Sequence, residues 1–160
     1  MLQREFRMRK SVDVSSLKRM TNIFGDCPED TRKLRPMAEE ARSYLLSHSW
    51  CKKVRRGWFG FAVGGVCAVF LFDLVPATKR IDSKLWVIVG DLPPAYLVVD
   101  ESPNPLAALA NYVGLMQEWV DTVRAGKPID DCIPVNAKPT KVNADLLARR
   151  LRFMRTNFLS

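Results

Sequence analysis

The longest apolar run of the chain is the strongest constraint on its fold. It spans residues 58–72, WFGFAVGGVCAVFLF, and contains no charge before Asp73 ends it. A membrane-spanning helix needs about twenty apolar residues, and Gly60, Gly64 and Gly65 are weak helix formers. Short stretches rich in Val and Phe on either side of a Gly-Gly pair are instead typical of a β-hairpin. The run therefore predicts two strands joined at Gly64-Gly65, and we expect no membrane association.

Two further strands are predicted after this hairpin. The four strands are expected at residues 58–63, 66–75, 85–89 (LWVIV) and 96–99 (YLVV). Pro93 and Pro94 cannot continue a central strand, so they predict a turn between the last two. Because every connection is short, we expect a four-stranded antiparallel meander.

Three helices are predicted to flank the meander. The first covers about residues 31–47 and precedes the sheet. The second begins with Asn104 as its N-cap and ends at Gly126, and the third has Thr140 as its N-cap. The expected inner stripe of the third helix consists of Val142, Leu146, Leu147, Leu151, Met154 and Phe158. The predicted fold class is therefore α+β, with the N-terminal helix and the two C-terminal helices packed on one face of the sheet.

Length and charge indicate one domain with a basic surface. A chain of 160 residues has room for one core, so we expect a single α+β domain at residues 29–160 and a basic, partly irregular arm at residues 1–28. The chain has 25 Lys and Arg residues against 17 Asp and Glu residues, a formal net charge of +8. Both ends are basic and the middle is mildly acidic. This asymmetry is typical of proteins with an acidic partner, although a solvated surface explains it equally well.

Few side chains are arranged for catalysis. The single histidine, His48, lies three residues before Cys51, a spacing that could activate a thiolate, but nothing in the sequence orients the imidazole. Asp91, Asp100 and Glu101 lie at the ends of predicted strands, where acidic residues more often form turns or caps. The cysteines lack zinc-ligand spacing, and there is no phosphate-binding loop. We therefore expect no enzymatic activity, no cofactor and no metal.

The first ten residues are relevant to the cellular location of the protein. They read MLQREFRMRK, and no apolar segment follows them, so they do not resemble a secretory signal. We expect a cytoplasmic protein whose four cysteines stay reduced.

Residues 55–61, RRGWFGF, combine basic and aromatic side chains at the first predicted strand. They are similar to the segment of RNA-recognition motifs in which a basic residue, a glycine and aromatic residues form a stacking platform on the sheet. An extra aromatic residue interrupts the pattern, and the predicted order of elements differs. Trp58 and either Phe59 or Phe61 could instead pack into the core. Nucleic-acid binding through the basic clusters, Trp58 and Phe59 therefore remains the second hypothesis.

Two longer strings carry a family resemblance. GWFGFAVGGVCAVFLFDL and LWVIVGDLPPAYLVVDESPNPLAALANYVGLMQEWVDTVRAGKPIDD resemble a conserved, uncharacterised family of small bacterial α+β proteins. The resemblance covers about residues 30–158 and implies a single domain of bacterial origin, without supplying an activity, a cofactor or site residues. The expected architecture is also similar to that of many immunity proteins that neutralise bacterial toxins, a likeness of fold and size.

These features favour a non-enzymatic protein-binding module, either an immunity-type inhibitor of a bacterial toxin or an adaptor. The partner is expected to present an acidic face, and an acidic toxin domain or a homodimer would satisfy this expectation. The candidate partner-binding residues form two groups: Arg149, Arg152 and Arg155 in the C-terminal helix, and Lys52, Lys53, Arg55, Arg56 and Trp58 at the first strand.

Overall fold

The computed structural model describes residues 12, 14–20, 28–63 and 66–159. Within these residues the strands are β1 (Lys18–Arg19), β2 (Cys51–Val63), β3 (Cys67–Pro76), β4 (Lys84–Gly90) and β5 (Ala95–Val98). The α-helices are α1 (Pro28–Leu46), α2 (Pro105–Arg124) and α3 (Lys141–Phe158). The strands form one antiparallel sheet in the order β1-β2-β3-β4-β5.

The α+β class is confirmed, and the predicted meander corresponds to β2–β5. The prediction of four strands was incomplete, because β1 adds a fifth at the edge, where Lys18 pairs with Phe59 and Arg19 with Trp58. β1 contains only two charged, exposed residues, so it has no apolar pattern to predict it. It lies within the segment expected to form an arm, most of which is outside the described residues; in that segment Val12 is buried in the core.

The apolar run of the sequence forms the second half of β2 and most of β3, which pair antiparallel as the hairpin pattern predicted. The predicted turn at Gly64-Gly65 lies outside the described residues. β2 begins seven residues earlier than expected. Register shifts in its pairing with β3, between Cys51 and Lys53 and between Val54 and Arg56, interrupt the alternation that would have indicated a strand. No α-helix of the described residues is long and apolar enough to cross a lipid bilayer.

Helices cover both faces of the sheet, which corrects the prediction that all three pack on one face. Along β3, Val69 and Leu71 belong to the core beneath α2, whereas Phe70 and Phe72 belong to the core beneath α1. Every residue from Cys67 to Leu74 is buried. A strand covered on both sides reads as a continuous apolar run, and each apolar face of a sheet needs its own cover.

The helix caps position α2 and α3 as the sequence predicted. The side chain of Asn104 accepts a hydrogen bond from the Ala107 N–H at 2.8 Å, and that of Thr140 accepts one from the Asn143 N–H at 3.2 Å. α2 starts close to β2: a Cβ added at Gly60 would lie 2.8 Å from Cγ of Pro105. α3 packs against α2, so these two helices form one layer and α1 forms the other.

The inner face of α3 differs from the prediction at two positions. Val142 and Leu146 are 68% and 54% exposed, so their assignment to the inner stripe was wrong. Ala144 and Ala148 are buried instead, beside Leu147, Leu151 and Met154, which were predicted correctly. Small side chains suit the side of α3 that packs on α2, whereas the sequence pattern gave more weight to larger apolar residues.

Candidate partner-binding face

One side of α3 presents apolar and basic side chains to solvent. We define this outer α3 face as Val142, Leu146, Arg149, Arg150 and Phe153. Four of these residues lie within an arc of about 60° around the helix, and Arg150 lies at its edge. Phe153 is 44% exposed, and both arginines are exposed as well. The face therefore joins exposed apolar surface to two cations.

Contacts on the opposite side hold this face in its orientation. Leu147, Leu151 and Met154 are buried in the core. Arg124 of α2 donates from Nη2 and Nε to Oδ1 of Asp145, at 2.8 and 3.1 Å. Because the buried side chains fix the rotation of α3, the outer α3 face does not depend on a mobile loop.

A cleft of about 190 Å³ opens beside the outer α3 face. We call it the α3 cleft; it lies between the β4–β5 loop, α2, the segment 135–137 and α3. At its rim Arg150 forms an ion pair with Asp91 at 2.6 Å, and both side chains are about half exposed. An exposed ion pair of this kind contributes at most about 1 kcal/mol, so another carboxylate can compete for Arg150.

The inner wall of the α3 cleft includes Trp119, which is 1% exposed. Its Nε1 is buried and has no hydrogen-bond partner among the described residues. Trp86, in contrast, donates from Nε1 to the carbonyl of Ser102 at 2.8 Å. Trp119 is therefore a buried donor without an acceptor.

The three arginines predicted in the C-terminal helix do not share one face. Each three-residue step rotates the side chain by about 60° around the helix, so Arg149, Arg152 and Arg155 follow a spiral. Arg149 belongs to the outer α3 face. Arg155 instead lines a shallow groove with Glu118 and Asp121 of α2, whose carboxylates partly offset its charge.

The second predicted group lies at the other end of the sheet. Lys52, Lys53, Arg55 and Arg56 are exposed on β2 near Cys51, which pairs with Pro76. Arg149 and Arg150 instead line a cleft with Val66, next to the start of β3. The length of β3, about 30 Å, separates the two locations. The two basic groups therefore do not form one continuous patch.

Trp58 lies in the core rather than on a surface. It is 5% exposed, and the Arg56 guanidinium and the Lys84 ammonium lie 5.6 and 5.9 Å from the ring centroid. Arg56 also donates to Asp73 at 3.0 Å. The ring thus stabilises the end of the sheet and offers no free face to a nucleic-acid base.

The neighbouring aromatic residues are also engaged. Phe59 packs against Phe70 with ring centroids 5.9 Å apart, and Phe61 packs edge-on against Phe158 at 5.7 Å. A stacking platform needs an open sheet face, and helices cover both faces here. The basic charge of the chain still supports the nucleic-acid hypothesis, but its aromatic residues do not.

His48 and Cys51 do not form a nucleophilic pair. The Nδ1–H of His48 donates to the Tyr44 carbonyl at 2.8 Å, and the imidazole packs against Trp50 and Tyr96. Cys51 is buried in the α1-side core, and this burial raises the pKa of its thiol. The thiol is therefore held in its less nucleophilic protonated form.

The strand-end acids are separated as well. Asp91 follows β4, whereas Asp100 follows β5, so they lie at opposite ends of this antiparallel pair. Among the residues that the structure describes, no group of three or more His, Cys, Asp or Glu side chains could hold a metal ion.

Five residues of the site were not predicted as binding residues: Val142, Leu146, Arg150, Phe153 and Trp119. The available signal was that α3 contains more apolar residues than one stripe can hold, with Val142, Leu146 and Phe153 spaced by four and seven. No known protein family, curated protein or solved structure matches this chain.

Proposed function

We propose that the protein is a non-enzymatic protein-binding module and that the outer α3 face binds an acidic, amphipathic segment of its partner. One observation carries the proposal: Val142, Leu146 and Phe153 are exposed beside two arginines on a helix held by its opposite side. Apolar surface rimmed by polar residues is typical of protein interaction sites, and aromatic and arginine side chains are enriched there.

Charge complementarity favours an acidic partner. Residues 138–160 carry six basic residues and one acidic residue, Asp145, whose carboxylate is paired with Arg124. A partner helix with apolar side chains on one face and Asp or Glu at its edges would cover Leu146 and Phe153 and pair with Arg149. A second copy of this chain would instead bring like charges together at this face.

The finer proposal is an immunity-type inhibitor of a bacterial toxin or an adaptor, acting in the cytoplasm. Its support is the small size of this α+β domain, which is typical of immunity proteins, together with a binding face on a rigid helix. Such a module acts by covering a surface of its partner, so it needs no reactive centre. The partner would then be a toxin domain with an acidic surface.

Differential capture from a lysate of the source organism tests the proposal. The bait is the tagged protein, compared with Arg149→Glu/Arg150→Glu on the outer α3 face and with Lys52→Glu/Lys53→Glu on β2. Both variants reverse two exposed cations, so they change the net charge equally and at different locations. We expect a stoichiometric acidic protein to be retained by the wild type and the β2 variant and to be lost from the α3 variant.

Other outcomes of the capture would overturn the proposal. Retention of the same protein by all three baits would place the binding surface elsewhere. Recovery of nucleic acid that is released at modest salt, without a stoichiometric protein, would favour the alternative of nucleic-acid binding through the basic clusters.

A further inference from the structure

The two edges of the sheet differ in how they are protected from pairing with another chain. β1 forms one edge, and both of its residues, Lys18 and Arg19, are charged and exposed. β5 forms the other edge, and its sequence, AYLV, contains no charge. Charged side chains on an edge strand discourage the addition of a further strand. β5 is short, but its own side chains do not repel another strand.

The backbone of β5 is paired with a strand on one side only. β4 is the neighbour of β5 in the sheet, and no backbone hydrogen bond from a described loop or turn reaches residues 95–97. In an antiparallel pair, the N–H and C=O groups of alternate residues point away from the partner strand. The outer side of β5 therefore presents hydrogen-bonding groups to solvent.

Apolar side chains are exposed beside this edge. Ala95 and Leu97 are buried in the core beneath α2, so Tyr96 and Val98 lie on the side of the sheet that α1 covers. α1 packs on β2, β3 and β4. It leaves Tyr96 and Val98 38% and 39% exposed. An added strand would cover both side chains.

An aromatic cluster holds Tyr96 in place. The centroid of its ring lies 4.9 Å from that of Trp50 and 5.3 Å from that of His48. The Nδ1–H of His48 donates to the carbonyl of Tyr44, which ties the cluster to the end of α1. Tyr96 thus presents a positioned aromatic surface next to the edge.

The charge around β5 identifies the chemistry of its partner. Residues 91–101 include three acidic residues and no basic one, although the whole chain is basic. Asp91 is paired with Arg150. Asp100 and Glu101 lie just beyond the end of β5, are exposed, and form no ion pair with a described residue. A basic segment therefore complements this edge.

We propose that the β5 edge binds an extended, basic segment of a partner protein as an additional strand. Apolar side chains of the segment cover Tyr96 and Val98, and a Lys or Arg pairs with Asp100 or Glu101. Because β5 has only four residues, the side chains and charges must supplement the backbone hydrogen bonds. A second copy of β5 fits less well, because residues 91–101 would bring no cation to the two carboxylates. This interaction goes beyond the proposed function and uses none of the residues of the outer α3 face.

Backbone amide resonances of the ¹⁵N-labelled protein test the edge directly. The probe is the peptide acetyl-KVTVTVK-amide, whose β-branched residues favour an extended strand and whose lysines place a cation at either end. The control is the same peptide with its five central residues N-methylated, which keeps the charges and side chains and removes the N–H donors. We expect saturable shifts of the amides of residues 95–98 with the unmodified peptide alone. We also expect hydrogen exchange of the outward-pointing amides to slow at least tenfold.

Two charge variants test the basic character of the segment. Asp100→Lys/Glu101→Lys reverses the carboxylates beside β5, and Asp130→Lys/Asp131→Lys reverses two adjacent exposed carboxylates between α2 and α3. Both variants change the net charge equally, and unchanged amide resonances elsewhere show that each is folded. We expect the first variant to bind the peptide at least tenfold more weakly than the second.

Each contrary result overturns a defined part of the proposal. The absence of a saturable shift at residues 95–98, or an equal shift with the N-methylated peptide, would overturn the added strand. Equal affinity of the two charge variants would overturn the recognition of a basic segment. Protection of the β5 amides that rises with protein concentration, without peptide, would mean that a second copy occupies the edge. None of these results depends on Arg149 or Arg150, so the proposed function stands or fails separately.

Discussion

Asp73 ends the apolar run of the sequence, yet it is only 6% exposed in the folded chain. Arg56 and Lys84 are its neighbours on the adjacent strands, and Arg56 donates to its carboxylate. Both cations also lie over Trp58. A charged residue that interrupts the apolar run in the sequence thus organises a polar cluster at the end of the sheet.

Replacing Trp58 by alanine tests this cluster. Because Trp58 is 5% exposed, we expect Trp58→Ala to lower the free energy of unfolding by about 3–5 kcal/mol, the usual cost of truncating a buried aromatic residue. Urea unfolding followed by circular dichroism measures the change. A loss below about 1 kcal/mol would mean that the ring is accessible, and it would restore the stacking role that the nucleic-acid hypothesis requires.

Two tyrosines make stability depend on alkaline pH. Burial raises the pKa of Tyr44 from 10.0 to about 12, with a further contribution from Tyr96, and burial also raises the pKa of Tyr112. Between pH 10.0 and about 12, the Tyr44 phenol is ionised in the unfolded chain but protonated in the folded chain. The stabilisation is therefore complete below pH 10.0 and is lost as pH rises toward about 12.

Unfolding free energies measured across this alkaline range test whether stability falls or rises with pH. We expect stability to fall as pH rises, and we expect Tyr44→Phe to make the decline shallower, because phenylalanine keeps the ring and removes the ionisable group. Stability that is unchanged or rises over the same range would contradict the burial of these phenols.

At the scale of elements, the predictions succeeded where local chemistry decides. Asn104 and Thr140 cap their helices because each side chain can reach an N–H three residues later, a relation that sequence alone contains. The side of α3 that packs against the core could not be derived in this way. It depends on which side of the helix fits α2, and Ala144 and Ala148 permit the closer approach.

Two adjacent leucines test the facing of α3. Leu147 is 6% exposed, whereas Leu146 is 54% exposed. We expect Leu147→Ala to lower the free energy of unfolding by about 2–5 kcal/mol and Leu146→Ala to change it by no more than about 0.5 kcal/mol. Parallel urea titrations compare the two variants. Equal losses would mean that α3 buries a different face.

Two glycines test the approach of α2 to the sheet. An added methyl group at Gly60 would meet Pro105 and the Val69 carbonyl, whereas one at Gly114 would meet nothing within 4 Å. We expect Gly60→Ala to lower the melting temperature. Gly114→Ala, inside α2, should raise stability by about 0.5–1 kcal/mol because alanine favours the helical backbone. Calorimetry compares the two, and a stabilising Gly60→Ala would contradict the close packing of Pro105.

At the scale of the molecule, the main correction concerns the layers. The β3 and β4 sequences, CAVFLFDLVP and KLWVIVG, hardly alternate between apolar and polar residues, and such runs indicate strands covered on both sides. That signal was present in the sequence. In contrast, the separation of the basic groups by the length of the sheet could not be predicted, because it depends on where α3 packs. The α3 cleft likewise depends on contacts between segments distant in the sequence.

The most direct test of the central claim is site-specific photocrosslinking in cells that produce the protein. A photoreactive benzoylphenylalanine replaces Phe153 on the outer α3 face, or Lys53 on β2 as the control, and both positions are exposed. We predict a discrete adduct with one acidic protein from position 153 and none from position 53. An adduct from position 53 alone, or an equal yield from both positions, would contradict binding through the outer α3 face.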